Sequence, residues 1–204
     1  MIRPVSALWF AAVGLTLVAV TTPVAATGRV GPAERWVFAR VNGLPDRLER
    51  PMWTFQLAGL LLLPLAVAAV ALLWRRWRLA VALVALVPLK LLAEKGVLKQ
   101  IVDRQRPGRT EPDPILRDVP SAGTSFPSGH AVIAFGIAAL LTPYLGRRGR
   151  VAVWTLAALN SVARVYLGAH NPLDVVCGAG VGLLLGGLLT WLVGRPVPSV
   201  EVRS

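Results

Sequence analysis

The sequence predicts an all-α integral membrane protein, a bundle of six transmembrane helices with one short interfacial helix. Three observations support this fold class. Hydrophobic residues make up 55% of the 204 residues and the mean hydropathy is +0.62, both high for a soluble domain. Several uncharged runs approach or exceed the roughly 20 residues that cross a bilayer as a helix. The basic residues cluster in short segments between these runs.

Four of the six predicted spans are almost free of charge. They are residues 4–28, 51–74, 119–146 and 175–194. Residues 79–98 and 151–169 are also apolar but carry charges, which are Lys90, Glu94 and Lys95 in the first segment and Arg164 in the second. An ionisable residue within a membrane is costly, so these side chains are expected in the bundle interior. For Lys90 and Lys95 the alternative is that the ammonium reaches the membrane interface.

The arginines between the spans predict the orientation. Residues 75–78 contain three arginines after the second span, residues 147–150 contain three after the fourth, and neither cluster contains an acidic residue. By the positive-inside rule both clusters are cytoplasmic. In a bacterial cytoplasmic membrane, this places both termini on the cytoplasmic side. The loops 27–50, 99–127 and 169–174 are then on the outer side. The net charge of +12 does not indicate nucleic acid binding, because the basic residues do not form a polar folded surface interleaved with aromatic residues.

Residues 1–204 are expected to form one domain, with a core from about 51 to 187 and a first membrane span within residues 1–28. That span could be a cleaved signal peptide, but its uncharged run is long for one, which favours its retention. The outward loop 29–50 has apolar residues at helical spacing, which predicts an interfacial amphipathic helix, with a solvated loop as the alternative. They are Trp36, Val37, Val41 and Leu44.

The last predicted span contains small residues at regular spacing. Gly178, Gly182 and Gly186 recur every four residues, so they share one helix face and allow another helix to approach closely. The sequence leaves open whether that helix belongs to the same chain or to another subunit. Cys177 is the only cysteine, which excludes an intramolecular disulfide and favours a small buried hydrophobic side chain.

The chain has only two histidines, His130 and His170, and each lies where an outward loop meets a helix. Other polar residues are predicted near the same membrane surface. Lys99 and Arg106 are seven residues apart and would point the same way if the third helix continued to Pro107. Such a pair suits phosphate, and Arg164 could add planar forked donors.

Two short segments contain the histidines. In Pro127-Ser128-Gly129-His130, Ser128 is expected to cap the fourth helix, and Gly129 lets the backbone approach an anion. A plain helix cap is the alternative. Asp174 follows His170 by four residues and could reach one imidazole nitrogen, leaving the other free to attack. The alternative is a structural hydrogen bond.

In order and spacing, three segments resemble the signature of the type 2 phosphatidic acid phosphatase family. They are Lys99 with Arg106-Pro107, Pro127-Ser128-Gly129-His130, and Arg164 with His170 and Asp174. The superfamily also contains soluble bacterial acid phosphatases and vanadium haloperoxidases. The resemblance extends from about residue 51 to residue 187. One position departs from the family pattern, because Ala163 stands where a serine usually precedes the arginine. A hydrogen bond is then missing or is supplied by Ser161.

The resemblance implies a role for each matching residue. His170 would be the nucleophile, Asp174 its orienting partner and His130 the acid that protonates the leaving group. Phosphate would be held by Lys99, Arg106, Ser128, Gly129 and Arg164. Three cations and helix amides can neutralise a transferring phosphoryl group, so neither a metal nor another cofactor is expected.

The resemblance therefore implies a membrane lipid phosphatase that acts through a phosphohistidine. Its partners would be membrane lipids and a lipid phosphate, and its oligomeric state is left open. Substrates of the family include undecaprenyl-type pyrophosphates, phosphatidylglycerol phosphate, phosphatidic acid and diacylglycerol pyrophosphate. A soluble sugar phosphate is a further possibility. Two other functions are considered: a phosphotransferase that uses the same histidine, and a non-catalytic transporter, which the intramembrane pair Lys90 and Glu94 would suit.

Overall fold

The computed structural model describes residues 5–194, and these residues form helices and loops without a strand. An isolated β-bridge joins Gln105 to Thr124. Pro4, where the first predicted span begins, lies outside the described residues. So do both chain termini, which the sequence predicts to be cytoplasmic. The all-α prediction is confirmed for the described part of the chain.

Ten α-helices follow one another along residues 5–194. They are α1 Val5–Ala26, α2 Pro32–Asn42, α3 Glu49–Gln56, α4 Leu63–Leu73, α5 Trp77–Leu91, α6 Lys99–Ile101, α7 Pro107–Thr110, α8 Gly129–Leu141, α9 Arg147–Tyr166 and α10 Pro172–Val193. A π-helical turn, Leu92–Leu98, joins α5 to α6. Short 3₁₀ turns are Asp46–Leu48, Leu57–Gly59 and Thr142–Tyr144.

Two helices within residues 5–194, α1 and α10, are long and apolar enough to cross a bilayer. The segments Asp46–Gly59 and Leu63–Leu73 make a third if they form one broken span, because they meet at an angle of 65°. The second predicted span is therefore not one straight helix. Leu60 is extended, and Pro64 lies in the first turn of α4, where its missing N–H is tolerated. The prediction of six spans is not confirmed.

The fourth predicted span is shorter than expected. Helix α8 begins only at Gly129, and residues 119–128 are irregular. This segment is uncharged but contains Pro120, Gly123 and Pro127, which favour turns over a helix. Absence of charge was therefore a poor guide to helix length here.

Helix α10 lies between α1 and α8. Gly178, Gly182 and Gly186 face α8: a Cβ added at Gly182 would lie 2.5 Å from the carbonyl oxygen of Val132. On the other side, a Cβ at Gly187 would lie 2.5 Å from the carbonyl oxygen of Ala7 in α1. The glycines therefore allow close packing within the bundle.

The three loops that are predicted to face outward meet at one end of the bundle. The Asn42 amide, at the end of α2, donates hydrogen bonds to the carbonyl oxygens of Ile115 at 2.8 Å and Tyr166 at 2.9 Å. The guanidinium of Arg117 donates to the same carbonyl of Tyr166 at 2.7 Å and lies 4.0 Å from the centre of its ring. The predicted helix α2 is present, and its interfacial position stays a prediction. At the other end, Arg76 lies 5.8 Å from the Tyr144 ring centre.

Candidate active site

His170 is placed by a tight turn between α9 and α10. The backbone N–H groups of Ala169 and His170 both donate to the carbonyl oxygen of Arg164, at 3.0 and 3.2 Å. Gly168 makes the turn possible because its φ is +77°, and a Cβ there would lie 2.6 Å from the carbonyl oxygen of Ile115. The turn buries His170, which is 3% exposed.

Ser125 and Asp174 lie on one side of the His170 ring. Asp174 Oδ2 is 3.6 Å from Nδ1, while Ser125 Oγ is closer at 3.2 Å. The Ser125 hydroxyl also donates a short hydrogen bond to Asp174 Oδ2. The structure thus brings Asp174 to the imidazole, as expected, and adds a serine that the sequence reasoning missed.

The Asp174 carboxylate is fully buried and well fixed. Its Oδ2 accepts the backbone N–H of Asn171 at 2.8 Å, and its Oδ1 accepts from Arg104 at 3.2 Å. Arg104 is itself fully buried and also forms an ion pair with Glu34 in α2. Glu34 in turn accepts the backbone N–H of Leu173 at 2.8 Å. Arg104 and Glu34 are further residues that the sequence reasoning missed, because only the folded chain brings residues 34, 104 and 174 together.

The surroundings of His170 favour a neutral imidazole. Burial lowers the pKa of His170 from about 6.5 to about 4, and the Arg164 charge adds to this lowering. The hydrogen bond with Asp174 and its charge act in the opposite direction but do not prevail. A neutral ring has one unprotonated nitrogen at physiological pH, which a nucleophile requires.

Two arginines adjoin this centre. Arg106 donates to the carbonyl oxygen of Ala169, next to His170, at 2.8 Å. Arg164 is 7% exposed and donates a short hydrogen bond to the side-chain oxygen of Gln56 in α3. Of the two alternatives for the missing serine at 163, support of Arg164 by Ser161 is not found, since Ser161 Oγ has no hydrogen-bond partner within the described residues. Gln56 supplies that support from another helix.

Lys99 and Arg106 do not belong to the same helix. The condition under which both would point the same way, a third helix that continues to Pro107, is not met, because α6 ends at Ile101 and Val102 is extended with φ −127°. Lys99 Nζ instead lies 2.7 Å from Glu94, which also pairs with Lys90. Lys90 and Glu94 are buried, so Lys90 belongs to the interior, whereas Lys95 is exposed.

The first turn of α8 lies against the backbone of Asp174 and against the side chain of Glu94. Ser128 is the N-cap residue, but its hydroxyl makes no capping hydrogen bond and has no partner within residues 5–194, although it is fully buried. Its backbone N–H donates to the carbonyl oxygen of Asp174 at 2.9 Å. A Cβ at Gly129 would lie 2.5 Å from Glu94 Oε2. His130 is within electrostatic range of Arg164 and His170.

The structure therefore gathers all eight of the predicted site residues in one region. The arrangement combines a neutral imidazole, a second imidazole and three cations, which is a set able to bind and transfer a phosphoryl group. Within residues 5–194, no three His, Cys, Asp or Glu side chains form a group that could hold a metal ion.

Comparison with known proteins identifies the family. A family model described as the PAP2 superfamily matches residues 75–198, more than half of the chain. This chain belongs to the PAP2 superfamily. The family that the three motifs resemble is thereby confirmed.

Relatives of this PAP2 superfamily member include bacterial lipid phosphatases. The lipid A 1-phosphatase of Porphyromonas gingivalis is 39% identical over 80 residues, which cover 38% of this chain and 18% of that protein. The lipid A 4'-phosphatase of Bacteroides thetaiotaomicron is 33% identical over 129 residues, which cover 57% of this chain and 54% of that protein. The matches thus span about half or less of these relatives.

The fold is similar to that of a solved PAP2 protein. The crystal structure of a transmembrane PAP2 type phosphatidylglycerolphosphate phosphatase from Bacillus subtilis matches with a TM-score of 0.67 and 24% identity. The match covers 93% of this chain and 95% of that chain. The shared fold is a transmembrane helical bundle.

Proposed function

We propose that this PAP2 superfamily member is a membrane lipid phosphatase that hydrolyses a phosphate monoester or a pyrophosphate of a lipid. The observation that supports this most strongly is the buried His170 imidazole, held beside Ser125 and Asp174 and next to Arg106 and Arg164, where burial lowers its pKa and favours the neutral ring. The lipid A phosphatases among the relatives support a lipid as the substrate class. Polyprenyl pyrophosphate, phosphatidylglycerol phosphate and phosphatidic acid are the substrates to test first.

Unsatisfied polar groups support the phosphate site. Ser128 Oγ and Arg164 Nε are buried and have no hydrogen-bond partner within the described residues. A buried donor without a partner costs free energy, and a phosphate oxygen would satisfy each of these groups. Lys99 would exchange part of its interaction with Glu94 for the phosphate. In this proposal the side-chain cations neutralise the phosphoryl oxygens and no metal is needed.

The reaction proceeds in two displacements. The His170 lone pair attacks phosphorus, the bond from phosphorus to the lipid oxygen breaks, and His130 gives its proton to that oxygen. A phosphohistidine and a free lipid alcohol, or a lipid monophosphate when the substrate is a pyrophosphate, result. Water then attacks phosphorus while His130 takes its proton, the bond to nitrogen breaks, and inorganic phosphate leaves.

In this proposal the site belongs to a six-span domain covering residues 1–204, in the cytoplasmic membrane of a bacterium. The active site faces outward, both termini are inside, and the first span is retained. Exposed apolar side chains on the helices support membrane embedding, for example Trp9 at 68% and Leu73 at 81% exposure. Close packing of α1 along α10 supports retention of the first span.

Phosphate release tests the activity. We would purify the protein in detergent, add EDTA, and compare phosphatidic acid, phosphatidylglycerol phosphate and a polyprenyl pyrophosphate, with His170→Ala as the inactive control. We expect release that survives EDTA and disappears in the variant. Equal release by the variant, or none from any lipid, would exclude the proposed hydrolase. Release that requires an added alcohol acceptor would instead indicate a phosphotransferase.

Cysteine labelling tests the orientation. Because the one native cysteine is buried, Cys177→Ala gives a background for single reporters. Ser121→Cys lies in the loop next to the site and Gly146→Cys lies at the opposite end of the bundle. In intact cells, a membrane-impermeant maleimide is expected to label Ser121→Cys and not Gly146→Cys. The reverse pattern would show an inward-facing site.

A further inference from the structure

Ser125 lies between His170 and Asp174, the two residues that the family resemblance pairs directly. The side chain is fully buried, and its Oγ lies 3.2 Å from His170 Nδ1. The direct separation between His170 Nδ1 and Asp174 Oδ2 is longer, at 3.6 Å. None of the roles implied by the family resemblance involves Ser125.

The number of hydrogens fixes the direction of these hydrogen bonds. An ionised carboxylate can only accept, and a hydroxyl has a single hydrogen to donate. The Ser125 hydroxyl therefore donates to Asp174, and its oxygen must accept from His170 Nδ1–H. A neutral ring protonated at Nδ1 has its lone pair at Nε2.

Neighbouring groups hold Asp174 and Ser125 in this arrangement. Asp174 Oδ2 already accepts from Asn171 at 2.8 Å, and Oδ1 accepts from the buried Arg104 at 3.2 Å. The backbone N–H of Ser125 donates to the carbonyl oxygen of Arg104 at 2.7 Å. This backbone hydrogen bond joins the two chain segments that hold the hydroxyl and the guanidinium against the carboxylate.

We infer that Ser125 is a positioning residue: its hydroxyl couples Asp174 to His170 and holds the imidazole with the proton on Nδ1 and a free Nε2. The role of that nitrogen as a nucleophile rests on the proposed function, whereas the position of the proton does not. Ser125 does not touch the phosphate in this scheme. Its substitution should therefore change turnover more than substrate binding.

Histidine-selective ¹⁵N NMR tests the tautomer directly, because the chain has only two histidines. Spectra are recorded near pH 7.5 for the wild type, Ser125→Ala and the control Ser161→Ala. Ser161 Oγ has no hydrogen-bond partner within the described residues, so its loss matches the chemical change without breaking a hydrogen bond. His130→Gln assigns the two imidazoles. We expect the Nδ1–H form of His170 in the wild type and in Ser161→Ala, and a mixture of tautomers in Ser125→Ala.

Phosphate release gives the second readout. Loss of partners that orient metal-bound histidines costs roughly 10- to 100-fold in activity, and we expect a fall in kcat of that order for Ser125→Ala, with KM changed less than about twofold. An Nε2–H tautomer of His170 in the wild type overturns the inference, even if Ser125→Ala does not fold. Unchanged tautomer and kcat in a folded Ser125→Ala overturn it as well. The expected tautomers in a protein that releases no phosphate would support Ser125 and refute only the proposed hydrolase.

Discussion

Lowering the pH should protonate His170 only near pH 4. An imidazole with the ordinary pKa of about 6.5 is protonated in about ten of eleven molecules at pH 5.5. With a pKa of about 4, His170 is neutral in about thirty molecules for each protonated one at that pH. The difference between the two pKa values corresponds to ~3 kcal/mol in favour of the neutral ring. Burial is its largest cause.

Titration by histidine-selective ¹⁵N NMR measures this value without a substrate. The substrate phosphate ionises in the same pH range, so an activity profile alone would mix the two groups. We expect the His170 signals to move with a midpoint near pH 4. A midpoint near 6.5 would refute the reasoning, because it would mean that burial does not disfavour the charged ring. Asp174→Asn should lower the midpoint further, since the carboxylate favours the charged form.

The same difference predicts how stability depends on pH. Between about pH 6.5 and about pH 4 the unfolded chain binds a proton at His170 that the folded protein does not bind, so the free energy of unfolding decreases as the pH falls through this range. Above about 6.5 neither state is protonated, and the contribution is absent. Below about 4 both are protonated, and the loss has reached its full value.

Three further predictions concern single side chains. Arg104→Gln leaves the buried carboxylates of Glu34 and Asp174 without their cation and should destabilise the protein by about 3–5 kcal/mol. Unfolding is followed on heating by the reaction of the buried cysteine with a thiol dye. The control Arg109→Gln changes an exposed arginine and should have little effect. His130→Ala should still release the leaving group of an activated aryl phosphate in a burst and accumulate a phosphohistidine at His170, because that leaving group needs no proton. If no phosphohistidine formed in the variant, the result would count against His130 as the acid. Gly182→Val should separate α8 from α10 and lower the melting temperature, and an unchanged value would contradict the close packing.

The sequence predicted the helical class, because hydropathy indicates membrane helices. It also selected eight candidate site residues from the spacing of three motifs, and these residues lie in one region of the structure. It failed where local backbone geometry decides. The helix that contains Lys99 ends before Arg106. Pro107 was an available signal for a break, since a proline disfavours the helical conformation of the residue before it. The second predicted span bends where Leu60 is extended, which hydropathy does not indicate.

The residues that were missed share a physical reason. In the proposed function, groups that bind phosphate must match its charge and geometry, so their types and spacing are recognisable in a sequence. Groups that hold those residues need only reach them, and any neighbouring helix can provide one. Arg164 shows this: with Ala163 beside it, Gln56 from α3 accepts its hydrogen bond. Ser125 likewise acts from a loop that folds against α10. The orienting contacts of this site therefore depend on tertiary packing, and only a structure could assign them.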